Sequence, residues 1–117
     1  MAARAAAAPA RGRKYGNKKV EIDGHQFDSK AEGLRYMVLR ERQRAGEINN
    51  LRLHPKYPLE INGVLVCRYE GDFLYQVTLT ERWVLEDVKG VKTAVYRLKK
   101  KLLRAVHGID ITEVTVR

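Results

Sequence analysis

Trp83-Val84-Leu85-Glu86-Asp87-Val88-Lys89-Gly90 is the stretch from which the fold is read. Side chains alternate across a strand, and both alternating sets here hold apolar residues: Trp83 and Leu85 on one face, Val84 and Val88 on the other. A strand that is apolar on both faces is covered on both, which makes it a central strand. Gly90 ends it. Asp87 closes this apolar run without a packing reason, because a carboxylate is seldom buried unless it is paired or bound to a metal. Lys89, two positions on, projects from the same face.

Upstream, the chain reads as strands back to Ile48. A turn over Thr78–Arg82 precedes the central strand and pairs residues 72–76 with 83–87. That register sets Asp72 and Asp87 at the same end of adjacent strands. Val64 to Cys67 begins a strand expected to continue to Tyr75, with Tyr69-Glu70-Gly71-Asp72-Phe73 at a break in it. Asn62-Gly63 is a strong hairpin turn joining Leu59-Glu60-Ile61 to that strand. His54-Pro55-Lys56-Tyr57-Pro58 is excluded from central sheet, since proline has no ladder donor. Ile48 to Leu53 is a further short strand.

Two helices flank this block. The first runs from about Ser29 to Ala45, capped by Asp28 or Ser29 and ended by Gly46. Its expected apolar stripe is Ala31, Leu34, Met37 and Val38, with Arg35, Arg40, Glu41, Arg42 and Arg44 facing water or a partner. A short hairpin precedes it: Val20-Glu21-Ile22, an Asp23-Gly24 turn, then Gln26-Phe27. The second helix runs from about Thr93 to His107 and closes at Gly108, with Val91, Val95, Leu98, Leu102 and Val106 at helical spacing. Ile109 to Val116 is the last strand. The order is helix, antiparallel strands, helix, strand.

The charge is segregated. Of the 117 residues, 23 are Lys or Arg and 14 are Asp or Glu, for a net +9. Residues 1–19 carry six basic side chains and residues 89–104 carry seven, with no acid in either block; the remainder is slightly acidic. Segregated positive charge is the footprint of a polyanion partner, although a solvated face has the same composition. Residues 1–18 are rich in Ala, Arg and Gly and are expected to be a disordered basic tail, leaving residues 19–117 as one domain. Cys67 is the one cysteine, which excludes an internal disulfide and suits a reducing cytoplasm. The three histidines, His25, His54 and His107, are scattered with no zinc-ligand spacing. No apolar stretch approaches the ~18 residues of a membrane span.

Asp72, Asp87 and Lys89 therefore form a candidate centre for a hard divalent cation, which takes few carboxylates and fills its shell with water and substrate phosphate. Taken alone, an Asp-x-Lys tripeptide is an ordinary surface pair; the apolar strand before it, Gly90 after it and Asp72 beside it argue otherwise. Glu32 has two readings. Ser29-Lys30-Ala31-Glu32 fits a capping box, and the first turn of a helix packed on the sheet also reaches a metal-bound water. Glu86 falls on the opposite face by parity. It is a secondary ligand candidate if the strand bulges, and otherwise a partner for a helix cation.

Taken together, these residues resemble the PD-(D/E)XK nuclease superfamily. Tyr69-Glu70-Gly71-Asp72-Phe73 resembles its first acidic element, Asp87-Val88-Lys89-Gly90 its (D/E)-x-K element, and Phe27-Asp28-Ser29-Lys30-Ala31-Glu32 its first-helix element. From Lys14 to Glu113 the chain is similar to a small phage-encoded branch catalogued as a domain of unknown function and likened to Holliday junction resolvases. The similar stretches include Lys14-Tyr15-Gly16-Asn17-Lys18-Lys19, Glu86 to Gly90, Thr93, and Tyr96 with Lys99. The resemblance implies an α/β fold with a restriction-endonuclease-like αβββαβ core, its central mixed sheet flanked by helices. It implies a DNA endonuclease using Mg²⁺ or Mn²⁺ held by Asp72, Asp87 and the Val88 carbonyl, with Lys89 acting on the attacking water and Glu32 completing the shell. It further implies branched DNA as a substrate, a homodimer making paired cuts, and a phage protein working in the host cytoplasm. Lys18, Lys19, Lys30, Lys92, Thr93, Lys99 and Lys100 are the candidate DNA contacts. Gly71 stands where that family often has proline, a change expected to alter backbone stiffness and not ligand count. The competing readings are a non-catalytic basic module that binds nucleic acid, and an RNA-binding or ribosome-associated protein.

Overall fold

The structure is a computed structural model that describes residues 18–116; the expected basic tail lies almost wholly outside the described residues. The chain runs β1 (Val20–Ile22), β2 (His25–Phe27), α1 (Lys30–Arg44), β3 (Ile48–Leu53), β4 (Lys56–Ile61), β5 (Val64–Glu70), β6 (Phe73–Val77), β7 (Trp83–Val88), α2 (Ala94–His107) and β8 (Ile111–Val114). It is an α/β protein built on a four-stranded mixed sheet of order β3-β6-β7-β8. β3–β6 and β6–β7 are antiparallel, and β7–β8 is parallel. The parallel pair follows from the connection, since α2 crosses over between β7 and β8. Reduced to its two helices and four sheet strands, the order is αβββαβ.

The central strand is covered on both faces, as its sequence demands. On one face Val84 and Val88 pack against a cluster that includes Phe27, Tyr36, Leu39, Ile48, Phe73 and Tyr75, roofed by α1. On the other, Leu85 joins Leu59, Tyr69, Tyr96, Leu103 and Ile111 under α2. Both two-residue hairpin turns form as expected, with Asp23-Gly24 and Asn62-Gly63 all at positive φ, the backbone of a tight primed turn.

Several expectations are corrected. The strand beginning at Val64 does not run through to Tyr75. It ends at Glu70, and β4–β5 forms its own two-stranded sheet inserted between β3 and β6. Pro58 lies inside β4, tolerated because this hairpin has two open edges. The last strand is shorter than expected, Ile111–Val114. α1 does not bury Ala31, Leu34 and Val38; its inward residues are Gly33, Tyr36 and Leu39, and Val38 is exposed. The stripe shifts by one or two positions because the β1–β2 hairpin lies against Gly33. A Cβ there would come within 2.7 Å of Val20 Cγ2. α2 likewise buries Tyr96 and Leu103 and leaves Val95 and Leu98 exposed, while Val91 falls before the helix and is exposed too. No helix among the described residues is long and apolar enough to cross a membrane.

The break at Gly71 is a packing requirement. Gly71 is buried and donates its N–H to the Pro55 carbonyl at 2.9 Å. A Cβ would stand 2.8 Å from Leu85 Cδ1 and 3.4 Å from Tyr69 Cε2. Proline would add this clash and remove the donor, so glycine here does more than change stiffness. Gly71→Ala is expected to destabilise the protein by about 1–3 kcal/mol, an overpacking effect. Urea unfolding measures it, and an unchanged midpoint would show that Leu85 simply moves aside.

Candidate active site

The interruption of the strand between β5 and β6 is what positions the first acid. The Asp72 N–H donates to the Glu86 carbonyl at 3.0 Å, and its own carbonyl accepts from the His54 N–H at 2.9 Å. Its carboxylate Oδ2 accepts from the Val88 N–H at 2.6 Å. Asp72 is thereby pinned between the end of β3 and the end of β7. The register Phe73↔Glu86 continues to place Asp72 beside Asp87.

Asp87 is 5% exposed. The Tyr69 hydroxyl donates to its Oδ2, and Lys89 Nζ lies 3.1 Å from its Oδ1. Burial, reinforced by the Asp87 carboxylate, holds the Tyr69 hydroxyl far above its ordinary pKa, so it serves as a donor at any ordinary pH. Lys89 also sits over the Tyr96 ring, Nζ 3.7 Å from its centroid, a cation–π contact that fixes the ammonium beside the aspartate.

Only half of the expected capping box forms at Glu32: its carboxylate is met by the Ser29 hydroxyl at 3.5 Å and not by the Ser29 N–H. Ser29 caps α1, its Oγ accepting from the Glu32 N–H at 3.2 Å. The Glu32 carboxylate nevertheless turns into the cleft, where it, His54 and Asp72 each offer a ligand atom within 4.8 Å of the others. Burial raises the Glu32 carboxyl. Burial first, then the negative charges of Glu32 and Asp87, push Asp72 up to about 8 against the opposing Val88 hydrogen bond. Three acids crowded this closely are poorly accommodated as three anions, and a retained proton or a bound cation relieves them equally.

These groups line one open cleft of about 620 Å³, which Glu32, Asp72, Asp87, Val88 and Lys89 all reach. Of the expected contacts with a polyanion, Lys99 and Thr93 line it too. Thr93 also caps α2 through Tyr96 N–H at 3.1 Å. Lys92 and Lys100 are held instead by Glu113, at 2.9 and 3.0 Å. Those lysines and the Tyr96 hydroxyl hold the Glu113 carboxyl down to about 2, the Lys92 bond leading. Lys18, Lys19 and Lys30 are exposed and none lines the cleft.

Glu86 is corrected as a ligand candidate. It is 1% exposed on the opposite face. There Arg35, expected to face water or a partner, grips it through Nε at 2.8 Å and Nη2 at 2.7 Å, with the Tyr75 hydroxyl as a third donor. Sequence reading missed His54 and gave no role to Tyr69 or Tyr96, although both fall in the stretches that carry the resemblance. The available signal for His54 was its position at the end of a strand, directly before Pro55.

A family model described as a protein of unknown function, DUF1064, matches residues 12–114. The chain belongs to this family. No curated protein and no solved structure matches it.

Proposed function

We propose that the protein is a metal-dependent DNA endonuclease with a restriction-endonuclease-like core of the PD-(D/E)XK kind. The observation that carries the reading is the meeting of Asp72, Asp87 and Lys89 with Glu32 in one cleft at the ends of adjacent strands. The αβββαβ order of helices and sheet strands agrees with it.

The donor set fits Mg²⁺ or Mn²⁺: hard carboxylate oxygens from Asp72 and Asp87, with the Val88 carbonyl at the same strand end. A cation held there would supply charge neutralisation at the scissile phosphate and a bound water of lowered pKa. The chain's own groups do the rest. Lys89, held 3.1 Å from Asp87 and against Tyr96, orients the attacking water and offsets charge developing on phosphate oxygens. Lys99 and the first turn of α2 face the same opening and steady the backbone of the substrate. Phosphodiesters of branched DNA, cut in pairs by a homodimer within a phage-infected cell, are the proposed physiological setting. They rest on resemblance and not on the cleft.

The test is nicking of supercoiled plasmid and of a four-way junction with Mg²⁺, with and without EDTA. Wild type is expected to cut only with metal, and Lys89→Ala to cut about 10²-fold more slowly while still binding DNA. A second reading is favoured by one observation: both carboxylate oxygens of Asp87 are already satisfied, Oδ2 by the Tyr69 hydroxyl and Oδ1 by Lys89. A non-catalytic nucleic-acid-binding module would nick nothing with any metal, and that outcome would replace the nuclease reading.

A further inference from the structure

His54 is the one histidine of the chain that the fold brings to the acidic cleft, and nothing assigned so far gives it a task. It comes from a third element. Glu32 is on α1, Asp72 lies between β5 and β6, and His54 follows β3; one ligand atom of each falls within 4.8 Å of the others. Two of the three are fixed to each other through the backbone, the His54 N–H donating to the Asp72 carbonyl at 2.9 Å.

We infer that His54 is a metal ligand, and that Glu32, His54 and Asp72 form a cation position of mixed nitrogen and oxygen donors next to the one at Asp72 and Asp87. The inference deepens the nuclease reading and rests on it for the role of the cleft. First-row dications hold such donors at about 2.0–2.3 Å, so the ligand atoms of one ion stand roughly 3–4.5 Å apart. The present spacing needs only a small side-chain closure. Glu70 Oε2 lies 3.8 Å from His54 Nδ1, too far for a hydrogen bond but within ion-pair reach of a protonated ring. A plain His54–Glu70 surface pair would explain that contact. It would not explain why Glu32 and Asp72 turn to the same ring.

The donor chemistry selects the ion. Mg²⁺ prefers oxygen and gives up its waters reluctantly; Mn²⁺ also favours oxygen but, as a first-row transition ion, tolerates one imidazole better than Mg²⁺ does, and iron, nickel and zinc better still. The His54 position therefore takes Mn²⁺ in preference to Mg²⁺, and Asp72 bridges the two positions.

The experiment is Mn²⁺ titration of the full chain without DNA, followed by the electron paramagnetic resonance signal of free Mn²⁺. Wild type is expected to bind about two Mn²⁺ per chain, only one of them readily displaced by Mg²⁺. His54→Asn keeps a residue that tolerates the left-handed backbone at this position (φ 52°) and should bind about one. Glu32→Gln should lose the same ion. Circular dichroism and thermal melts confirm that each variant is folded. Unchanged Mn²⁺ stoichiometry and affinity in folded His54→Asn overturns the inference, as does a wild type that binds a single Mn²⁺. The two readings fail separately. A protein that loses one Mn²⁺ with His54 but nicks no DNA keeps this site and loses the nuclease. A protein that nicks DNA while His54→Asn binds Mn²⁺ normally keeps the nuclease and loses this site.

Discussion

Arg35→Ala is expected to lower the unfolding free energy by about 3–5 kcal/mol, the largest stability effect of any single substitution proposed for this chain. Glu86 is 1% exposed, and both of its carboxylate oxygens are occupied by the Arg35 fork, with Tyr75 adding a third bond. Removing the guanidinium leaves a buried carboxylate with one neutral donor, in the central strand that pairs with β6 and β8. The loss measures the abandoned charge and not the worth of the pair, because desolvating both ions offsets much of their attraction. The triple variant Arg35→Met, Glu86→Leu, Tyr75→Phe removes charge and orphaned hydroxyl together. It should recover to within about 2 kcal/mol of wild type. Urea unfolding of both variants decides the matter. A loss below about 1 kcal/mol for Arg35→Ala would mean that water reaches the pair and that it behaves as a surface ion pair.

The same pair shows where the sequence was legible and where it was not. β7 could be read because Val84, Leu85 and Val88 put apolar side chains on both faces, although Trp83, read the same way, is 50% exposed at the strand's start; parity correctly sent Glu86 away from Asp87. The partner was misjudged, since Arg35 looks like a solvent residue on any hydropathy reading of α1. The α1 stripe failed for a related reason. Ala31, Leu34 and Val38 have helical spacing, but the face that is buried uses Gly33 for a close approach and Tyr36 for an amphipathic contact, and neither scores as apolar. α2 misled in the same way, with Val95 and Leu98 exposed beside a buried Tyr96. The β4–β5 hairpin was visible from Asn62-Gly63, yet nothing local says which sheet a hairpin joins. Asp72, Asp87 and Lys89 were found because two adjacent strands bring them together. His54 was missed because metal-ligand spacing is a test along the chain, and this cluster draws on three distant segments. Its convergence is a property of the sheet edge.

Asp72→Asn is expected to separate the stability of the cleft from its chemistry. In the metal-free protein the Asp72 carboxyl titrates at about 8, against roughly 3.9 in an unfolded chain. A group whose folded pKa is raised contributes its full share of stability below the unfolded value and loses it as pH rises through the folded one. The metal-free wild type should therefore lose stability between about pH 4 and pH 8, as the unfolded chain ionises and the folded site resists. Asparagine keeps an oxygen for the Val88 N–H and removes the titration. Discounted for partial solvent access, the variant should be more stable than metal-free wild type at pH 8 by about 2–3 kcal/mol, with little difference near pH 4. Mg²⁺ reverses the order. It should raise the melting temperature of wild type at pH 8, because binding to the folded state alone is stabilising, and should do far less for the variant. Cleavage by the variant should fall by roughly 10³-fold, about 4 kcal/mol of charge stabilisation. Melts at both pH values with and without Mg²⁺, run beside the plasmid assay, give all of these outcomes. If Mg²⁺ protected Asp72→Asn as well as wild type, the cation would not be held by Asp72, and the raised carboxyl would mark strain between neighbouring acids instead of a metal centre.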